Sequence, residues 1–205
     1  MDLIELKREQ LKLSRKVNLR DSFSRVRTLG GIVCLQIGDK LIASVVVCEF
    51  PSMNLREKKT YLLDNPLPYK PEFQAYREMP AMIEAFNLLE EEPDVLLVKG
   101  PGVLHPRKLG IASHLGLALN VPTIGVQDKL SIGRVENGKI IIGNEIMGFE
   151  MKTKEYSNPL YVSPGHLISL GSVLNIISKT IMPPHKKPEP LHLANKIARK
   201  VVKDR

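Results

Sequence analysis

The stretch Pro93–Val126, PDVLLVKGPGVLHPRKLGIASHLGLALNVPTIGV, decides the fold of this chain. It opens with the apolar run Val95–Val98, which is too short for a helix and is typical of a buried parallel strand. A loop follows, then an apolar-periodic segment over Leu109–Leu119, and then a second apolar run, Val121–Val126. This order predicts strand, loop, helix and strand, which is one βαβ unit with parallel pairing.

The end of each predicted strand in this unit is the expected place of a functional site. In open α/β sheets, ligands bind beyond the carboxyl ends of the parallel strands. Lys99 and Val126 stand at those ends, and Lys99 is followed by a loop with two glycines, Gly100 and Gly102. We therefore expect the chemistry of the protein beside this loop.

The flanking sequence predicts further strands and helices. An antiparallel hairpin is expected from Gly30 onward with Gly38 and Asp39 at its turn, and Asn54–Leu63 is a plausible third strand. Helices are predicted over residues 2–17, 73–90 and 169–179 and over a basic C-terminal segment, and shorter strands over 139–142, 146–152 and 160–162. Pro80 is expected to lie within the first turns of its helix, because proline lacks the amide donor that a helix interior needs.

Composition restricts the class of protein. The chain has 205 residues and a net charge of +8, which favours a polyanionic partner, although a basic solvated surface is the alternative. Cys34 and Cys48 fall in predicted strands and suit a reducing compartment, as buried small hydrophobes or as a disulfide if those strands pair. No apolar run approaches the ~18 residues of a membrane span. We expect a cytoplasmic protein with no membrane partner.

Several motifs together resemble one family. The run Gly100–Val126, together with PYKPEFQAYRE (Pro68–Glu78), SPGH (Ser163–His166) and PEPLHLA (Pro188–Ala194), is similar to endonuclease V. Members are ribonuclease H-like nucleases that act on inosine-containing nucleic acid. The resemblance covers nearly the whole chain in order. It implies a single α/β domain over residues 1–205, with a ribonuclease H-like mixed sheet of antiparallel hairpin strands and βαβ units flanked by helices.

The same resemblance indicates where the family holds its catalytic groups. The family uses an aspartate on the first strand, a glutamate, a second aspartate and an assisting lysine, and these fall on Val33, Glu78, Lys99 and Asp128. Only Glu78 is retained. Because Mg²⁺ takes oxygen ligands, we expect no Mg²⁺ cofactor here, with Glu78 as the one remaining ligand if a metal binds. We expect instead that the Lys99 ammonium pairs with Glu78 or Asp128.

The resemblance also implies a surface that contacts nucleic acid. Tyr69, in the proline-rich loop 66–71, is expected to act as a wedge that stacks on or replaces a base; packing on its own loop is the alternative. Glu72 replaces a family glycine, which bears on inosine recognition. His105 is either a ligand contact or a structural cap of its loop. The full set of predicted contact residues is Tyr69, Pro71, Gly100, Gly102, His105, Arg107 and Gly110.

Three hypotheses about function follow. The first is a nucleic-acid-binding member of the family that binds single-stranded or locally unpaired DNA or RNA and has lost most of its cleavage activity. The second is an active metal-dependent endonuclease on inosine-containing DNA or RNA that uses rearranged ligands. The third is a protein-interaction scaffold with a protein partner. Salt separates the first from the third, because phosphate binding weakens steeply with salt.

Overall fold

The computed structural model describes residues 2–203. Its strands are β1 (Thr28–Ile37), β2 (Lys40–Glu49), β3 (Leu55–Leu63), β4 (Val95–Lys99), β5 (Thr123–Gln127), β6 (Arg134–Glu136), β7 (Lys139–Ile142), β8 (Glu145–Met151) and β9 (Leu160–His166). Its helices are α1 (Leu3–Ser14), α2 (Gln74–Asn87), α3 (Ile111–Leu119), α4 (Leu170–Ser178) and α5 (Glu189–Lys203). Over the described residues the strands form one nine-stranded sheet in the order β3-β2-β1-β4-β5-β9-β8-β7-β6. The predicted mixed α/β architecture is confirmed.

The hairpin and the βαβ unit anticipated from periodicity are both present. Strands β1 and β2 pair antiparallel across the predicted turn, and β3 pairs antiparallel with β2. Strand β4 pairs parallel with β1 on one side and with β5 on the other. The carboxyl ends of β4 and β5 therefore lie at one edge of the sheet, as the sequence predicted, and the carboxyl end of β1 lies there as well.

The sheet is covered by helices on both faces, and strand alternation decides which side chains each helix meets. Ile32 and Val98 pack with α2 and α3, whereas Val33 packs in the opposite core with residues of α4 and α5. Ile32 and Val98 are register partners, so Val33 and Lys99 are the next positions along the two strands. Because successive side chains point to opposite faces, both are directed to the α5 side.

Some local features differ from the predictions in extent. Pro80 is the seventh residue of α2, in its second turn as expected, and it is exposed there. Strand β9 continues to His166 and pairs with β5, beyond the predicted end at residue 162, and the predicted helix α4 follows at Leu170. Strand β6 was not predicted, because its three residues are all exposed and carry no alternation.

The cysteines and the helices agree with the composition. Cys34 and Cys48 are buried free thiols; they lie opposite Ala43 and Leu29 in the β1–β2 ladder, so the alternative of a disulfide is excluded. Within residues 2–203, no helix combines the length and the apolar character needed to cross a membrane.

Candidate functional site

A cavity of about 340 Å³ lies beside the carboxyl edge of the sheet, which we call the loop cavity. Its walls come from the proline-rich loop before α2, the start of α2, the loop after β4 and the end of β5. Its lining residues are Tyr69, Pro71, Glu72, Gln74, Ala75, Pro101, His105, Pro106, Leu109, Gly110, Ile111, Gln127 and Ser131. Four of the predicted contact residues, Tyr69, Pro71, His105 and Gly110, are thereby brought together.

Tyr69 stands at the rim of the loop cavity with 62% of its surface exposed. The loop that carries it is tied to the sheet by buried Arg77, which donates hydrogen bonds to the Leu67 carbonyl and to Gln36 Oε1. This loop therefore presents a largely exposed aromatic ring beside a concave site.

Glu72 connects the proline-rich loop to two other segments. Its carbonyl accepts hydrogen bonds from Gln10 Nε2 of α1 at 2.9 Å and from His105 Nε2 at 3.0 Å. Its carboxylate forms an ion pair of 2.9 Å with Arg107 Nη1. The backbone of Glu72 has φ +66°, a left-handed conformation that costs little only for glycine.

His105 is a buried cap of the loop after β4. Its Nδ1 accepts from the Arg107 amide at 3.3 Å, so the proton resides on Nε2, which donates to the Glu72 carbonyl. Burial lowers the pKa of His105 to about 4. The imidazole is therefore neutral near pH 7, and both of its nitrogens form hydrogen bonds. This geometry matches the alternative that His105 caps its loop. The ring also lines the loop cavity.

Arg107 is held by protein groups, not presented to solvent. Its side chain is 11% exposed and pairs with Glu72. Its Nε donates to Gln10 Oε1 at 2.5 Å, and the guanidinium lies 5.1 Å from the centre of the Phe73 ring. Arg107 thus braces α1 and the proline-rich loop, and the predicted direct contact with nucleic acid would require Glu72 to release it.

Gly100 and Gly102 shape the loop and do not line the loop cavity. Gly100 has φ +145°. A Cβ on Gly102 would lie 2.1 Å from the Pro164 carbonyl oxygen, which leaves no room for a side chain. Gly102 packs against β9, and the Gly100 amide donates to the Val126 carbonyl of β5 at 2.8 Å. Both residues therefore shape the loop. Gly110 precedes α3 and reaches the lining itself.

We call Val33, Glu78, Lys99 and Asp128 the edge cluster. Val33 is fully buried in the core. Both carboxylate oxygens of Glu78 accept from Gln74 Nε2, at 3.1 and 3.0 Å. Burial raises the pKa of Glu78 to about 7, against the opposing effects of Gln74, Lys99 and Arg77. At neutral pH this carboxyl group is therefore only partly ionised.

The predicted ion pair of Lys99 with Glu78 or Asp128 was wrong. Among the residues that the structure describes, no carboxylate lies within the 4.0 Å ion-pair limit of the Lys99 ammonium. Asp128 instead forms ion pairs with Lys187 at 3.0 Å and with Lys186 at 3.6 Å. Both lysines lie in the segment before α5. Burial raises the pKa of Asp128, but these lysines hold it below its usual value.

Lys99 lies in a positive environment. Burial, followed by the nearby charge of Lys187, lowers the pKa of Lys99; Arg199 acts in the same direction, and Asp128 and Glu78 act against it. The edge cluster therefore offers a divalent ion two carboxyl groups, the partly ionised Glu78 and the Asp128 carboxylate that Lys186 and Lys187 already pair, beside the Lys99 ammonium. This donor set does not fit Mg²⁺, which requires hard, anionic oxygen ligands.

Gln127 is a cavity residue that the sequence reasoning missed. It ends β5 and lines the loop cavity with Gln74 and Ser131. Its Nε2 is buried and has no hydrogen-bond partner within residues 2–203. Its position directly after the predicted strand was the signal that could have identified it.

Comparisons with known proteins agree with this geometry. The Endonuclease V family model matches residues 11–196. The chain is 37% identical to Endonuclease V of Dictyoglomus thermophilum, covering 97% of this chain and 90% of that protein. It is 38% identical to Endonuclease V of Thermofilum pendens, covering 92% and 84%.

Solved structures of the same family superpose closely on the chain. Ciona intestinalis Endonuclease V in complex with a 23mer DNA containing an inosine followed by a ribo-adenosine has a TM-score of 0.89 at 28% identity, covering 98% of this chain and 97% of that one. The catalytic domain of human Endonuclease V has a TM-score of 0.88 at 28% identity, covering 98% and 96%. The predicted ribonuclease H-like fold is confirmed. The chain belongs to the Endonuclease V family.

Proposed function

We propose that this chain is a nucleic-acid-binding member of the Endonuclease V family whose metal-dependent cleavage is lost or strongly reduced. The observation that carries the proposal is the edge cluster. Lys99 stands near Lys187 and Arg199, and Val33 is a core residue. The Asp128 carboxylate is already paired with Lys186 and Lys187, which leaves Glu78 as the remaining carboxyl group of the edge cluster. The family's metal chemistry has no ligand set here.

The electrostatic repulsion between Lys99 and a divalent ion indicates how far the affinity for the metal should fall. A lysine ammonium ~5 Å from a divalent ion costs roughly 6–7 kcal/mol at an effective dielectric constant of ~20. That cost corresponds to about four to five decades of affinity. A neutral Lys99 removes the repulsion but adds no oxygen ligand, so the deficit of ligands remains in either protonation state.

The loop cavity supports the proposal that the chain binds nucleic acid. Tyr69 offers an exposed ring for stacking, and Gln127 offers an unpaired amide donor for a base edge. A base can enter such a cavity only when it is unpaired, because a stacked duplex hides it. The Ciona intestinalis relative was crystallised with an inosine-containing DNA. We therefore propose single-stranded or locally unpaired DNA or RNA as the ligand.

Charge supplies the second contribution to binding. Helix α5 presents four exposed cations, Lys196, Arg199, Lys200 and Lys203, on a chain of net charge +8. Contacts between such cations and phosphates release counterions, so the affinity falls with salt. A protein scaffold with a mainly apolar interface lacks that dependence.

The test uses inosine-containing and unmodified single strands of DNA and RNA, with Mg²⁺, Mn²⁺ or EDTA. Binding over a salt series and strand cleavage are followed in the same samples. We expect salt-sensitive binding that persists in EDTA, with no metal-dependent product. Metal-dependent cutting near inosine would establish the active-nuclease hypothesis instead. Absence of both binding and cutting would favour the scaffold.

A further inference from the structure

Three potential metal ligands meet at the start of α5. The ligand atoms of His185, Glu189 and His192 all lie within 4.8 Å of one another, and among residues 2–203 this is the one group of its kind. His185 Nδ1 is 2.7 Å from Glu189 Oε2. The two imidazole rings are stacked, with centroids 3.5 Å apart and planes at 15°. We infer that these residues, which we call the His185 cluster, form a zinc-binding site separate from the edge cluster.

The donor set suits zinc. Two imidazole nitrogens and one carboxylate oxygen are a ligand set that Zn²⁺ takes in open tetrahedral sites, where water fills the fourth position. Zinc bonds of ~2.0–2.2 Å place the ligand atoms about 3.5 Å apart in a tetrahedron. The ligand atoms found here are separated by up to 4.8 Å, so the two imidazole rings must turn out of their stacked arrangement to bind one ion.

The backbone already holds the three residues in place. The amides of His185, Glu189 and His192 donate to the carbonyls of Met182, Thr180 and Pro188 at 2.8, 2.8 and 3.0 Å respectively. Glu189 and His192 are three residues apart on α5 and therefore share a helix face. A site whose ligand positions are fixed before the ion arrives loses little entropy on binding.

Access and local charge set the strength of the site. The side chains of His185 and Glu189 are 33% and 13% exposed, so an ion can enter from solvent. Lys186 and Lys187 are paired with Asp128, which reduces their repulsion. Lys196 lies one turn beyond His192 and remains unneutralised among the described residues. We therefore expect one ion per chain, bound most tightly when Lys196 is neutralised.

The test uses tag-free full-length protein freed of metal by a chelator. Zn²⁺ binding is measured by calorimetry, and Co²⁺ serves as a spectroscopic probe because tetrahedral Co²⁺ absorbs visible light strongly. We expect one ion per chain and a higher Tm with zinc. His185→Asn, Glu189→Gln and His192→Asn should each weaken binding by more than the about 10–100-fold that loss of an outer-shell partner costs. Lys196→Gln, the matched control on the same helix, should bind equally or more tightly.

Two results would overturn the inference. One is a Co²⁺ spectrum without tetrahedral bands together with no zinc effect on the Tm. The other is stoichiometric binding that survives in the His185→Asn/His192→Asn double variant, which would place the ion elsewhere. Circular dichroism of each variant distinguishes loss of the ion from loss of the fold. In either case the His185–Glu189 contact would serve only to hold the start of α5.

Discussion

The loop cavity and the edge cluster lie side by side but differ in what they retain. The loop cavity keeps an exposed aromatic ring, polar amides and a backbone braced by Arg77 and Glu72. The edge cluster lies at the same sheet edge, but Val33 is fully buried there, Lys99 stands near Lys187, and Asp128 is paired with Lys186 and Lys187. The comparison shows that the loop cavity and the edge cluster depend on different residues, although strands β4 and β5 position both.

Restoring the edge cluster should have the largest effect. The triple variant Val33→Asp/Lys99→Asp/Asp128→Lys returns the family's residue types, and we expect Mg²⁺-dependent cleavage to rise at least about a thousandfold, since metal catalysis supplies several kcal/mol. The measurement is single-turnover cleavage of an inosine-containing strand.

The matched control for this restoration adds Glu78→Gln to the triple variant, which should abolish the gain. Because Val33 is fully buried, folding of each variant in Mg²⁺ is checked by circular dichroism. A folded triple variant that binds the strand and does not cut it would show that further residues separate this chain from an active nuclease.

The buried carboxyl group of Glu78 should make stability depend on pH. Its pKa is raised by burial from 4.5 to about 7, so the unfolded state loses its proton first. Stability is therefore full below the unfolded pKa and falls as pH rises through the folded value. At about pH 8, Glu78→Gln should be more stable than the natural chain by on the order of 2–3 kcal/mol, with little difference near pH 4.

Urea unfolding of the two proteins at both pH values measures this difference. Glu84→Gln, a change of another carboxylate on the same helix, is the control and should show no comparable gain. Equal stability of the natural chain and Glu78→Gln at both pH values would mean that Glu78 is solvated and available to a cation.

Removing the wedge should weaken binding without changing the fold. Tyr69→Ala loses the stacking of about one base, worth ~1–3 kcal/mol, or roughly 5- to 150-fold in affinity. Tyr69→Phe should bind like the natural chain, because the ring is kept. Fluorescence anisotropy with a labelled single strand measures both. Tyr156→Ala, at a tyrosine that is 95% exposed outside the loop cavity, controls for general loss of an aromatic surface.

Neutralising Glu72 should have the smallest effect, in the opposite direction. Glu72→Gln keeps the carbonyl contacts to Gln10 and His105 and removes a negative charge from the cavity wall. It also removes the ion pair with Arg107, whose Nε stays bonded to Gln10. We expect binding to tighten roughly 3- to 10-fold at low salt, with the gain reduced at high salt. Glu91→Gln, a surface carboxylate paired with Arg56 at 3.2 Å, should leave the affinity unchanged. Weaker binding by Glu72→Gln would mean that the brace matters more than the charge.

The sequence predicted the parts of the molecule that depend on local patterns. Alternating and continuous apolar runs located the β1–β2 hairpin and the β4–α3–β5 unit, and their topology located the site at the carboxyl edge. The contacts that define the site are long-range. The Gln10–Arg107 hydrogen bond joins residues 97 positions apart, and the Asp128–Lys187 contact joins residues 59 positions apart. Neighbouring residues therefore predict neither the bracing of α1 by Arg107 nor the pairing of Asp128 with Lys187 in place of Lys99.

The His185 cluster and Gln127 are features that the sequence analysis did not predict, although their positions are visible in the sequence. The spacing His185-x₃-Glu189-x₂-His192 is visible in the sequence, yet only the helix start at Glu189 brings the three side chains together. Gln127 directly follows the apolar run of β5, but its unpaired amide is apparent only once the walls of the loop cavity are built. Residue type and spacing are visible in the sequence, but only the tertiary structure shows what surrounds these side chains.

The most direct measurement is the amount of Mn²⁺ that the edge cluster holds. Electron paramagnetic resonance of free Mn²⁺ is followed as His192→Asn protein is added, a background that removes the His185 cluster as a competing site. We predict that the free Mn²⁺ signal falls no further with this protein than with the same protein carrying Glu78→Gln. Stoichiometric Mn²⁺ uptake that disappears when Glu78→Gln is added would contradict the loss of metal chemistry and make this chain a metal-binding nuclease.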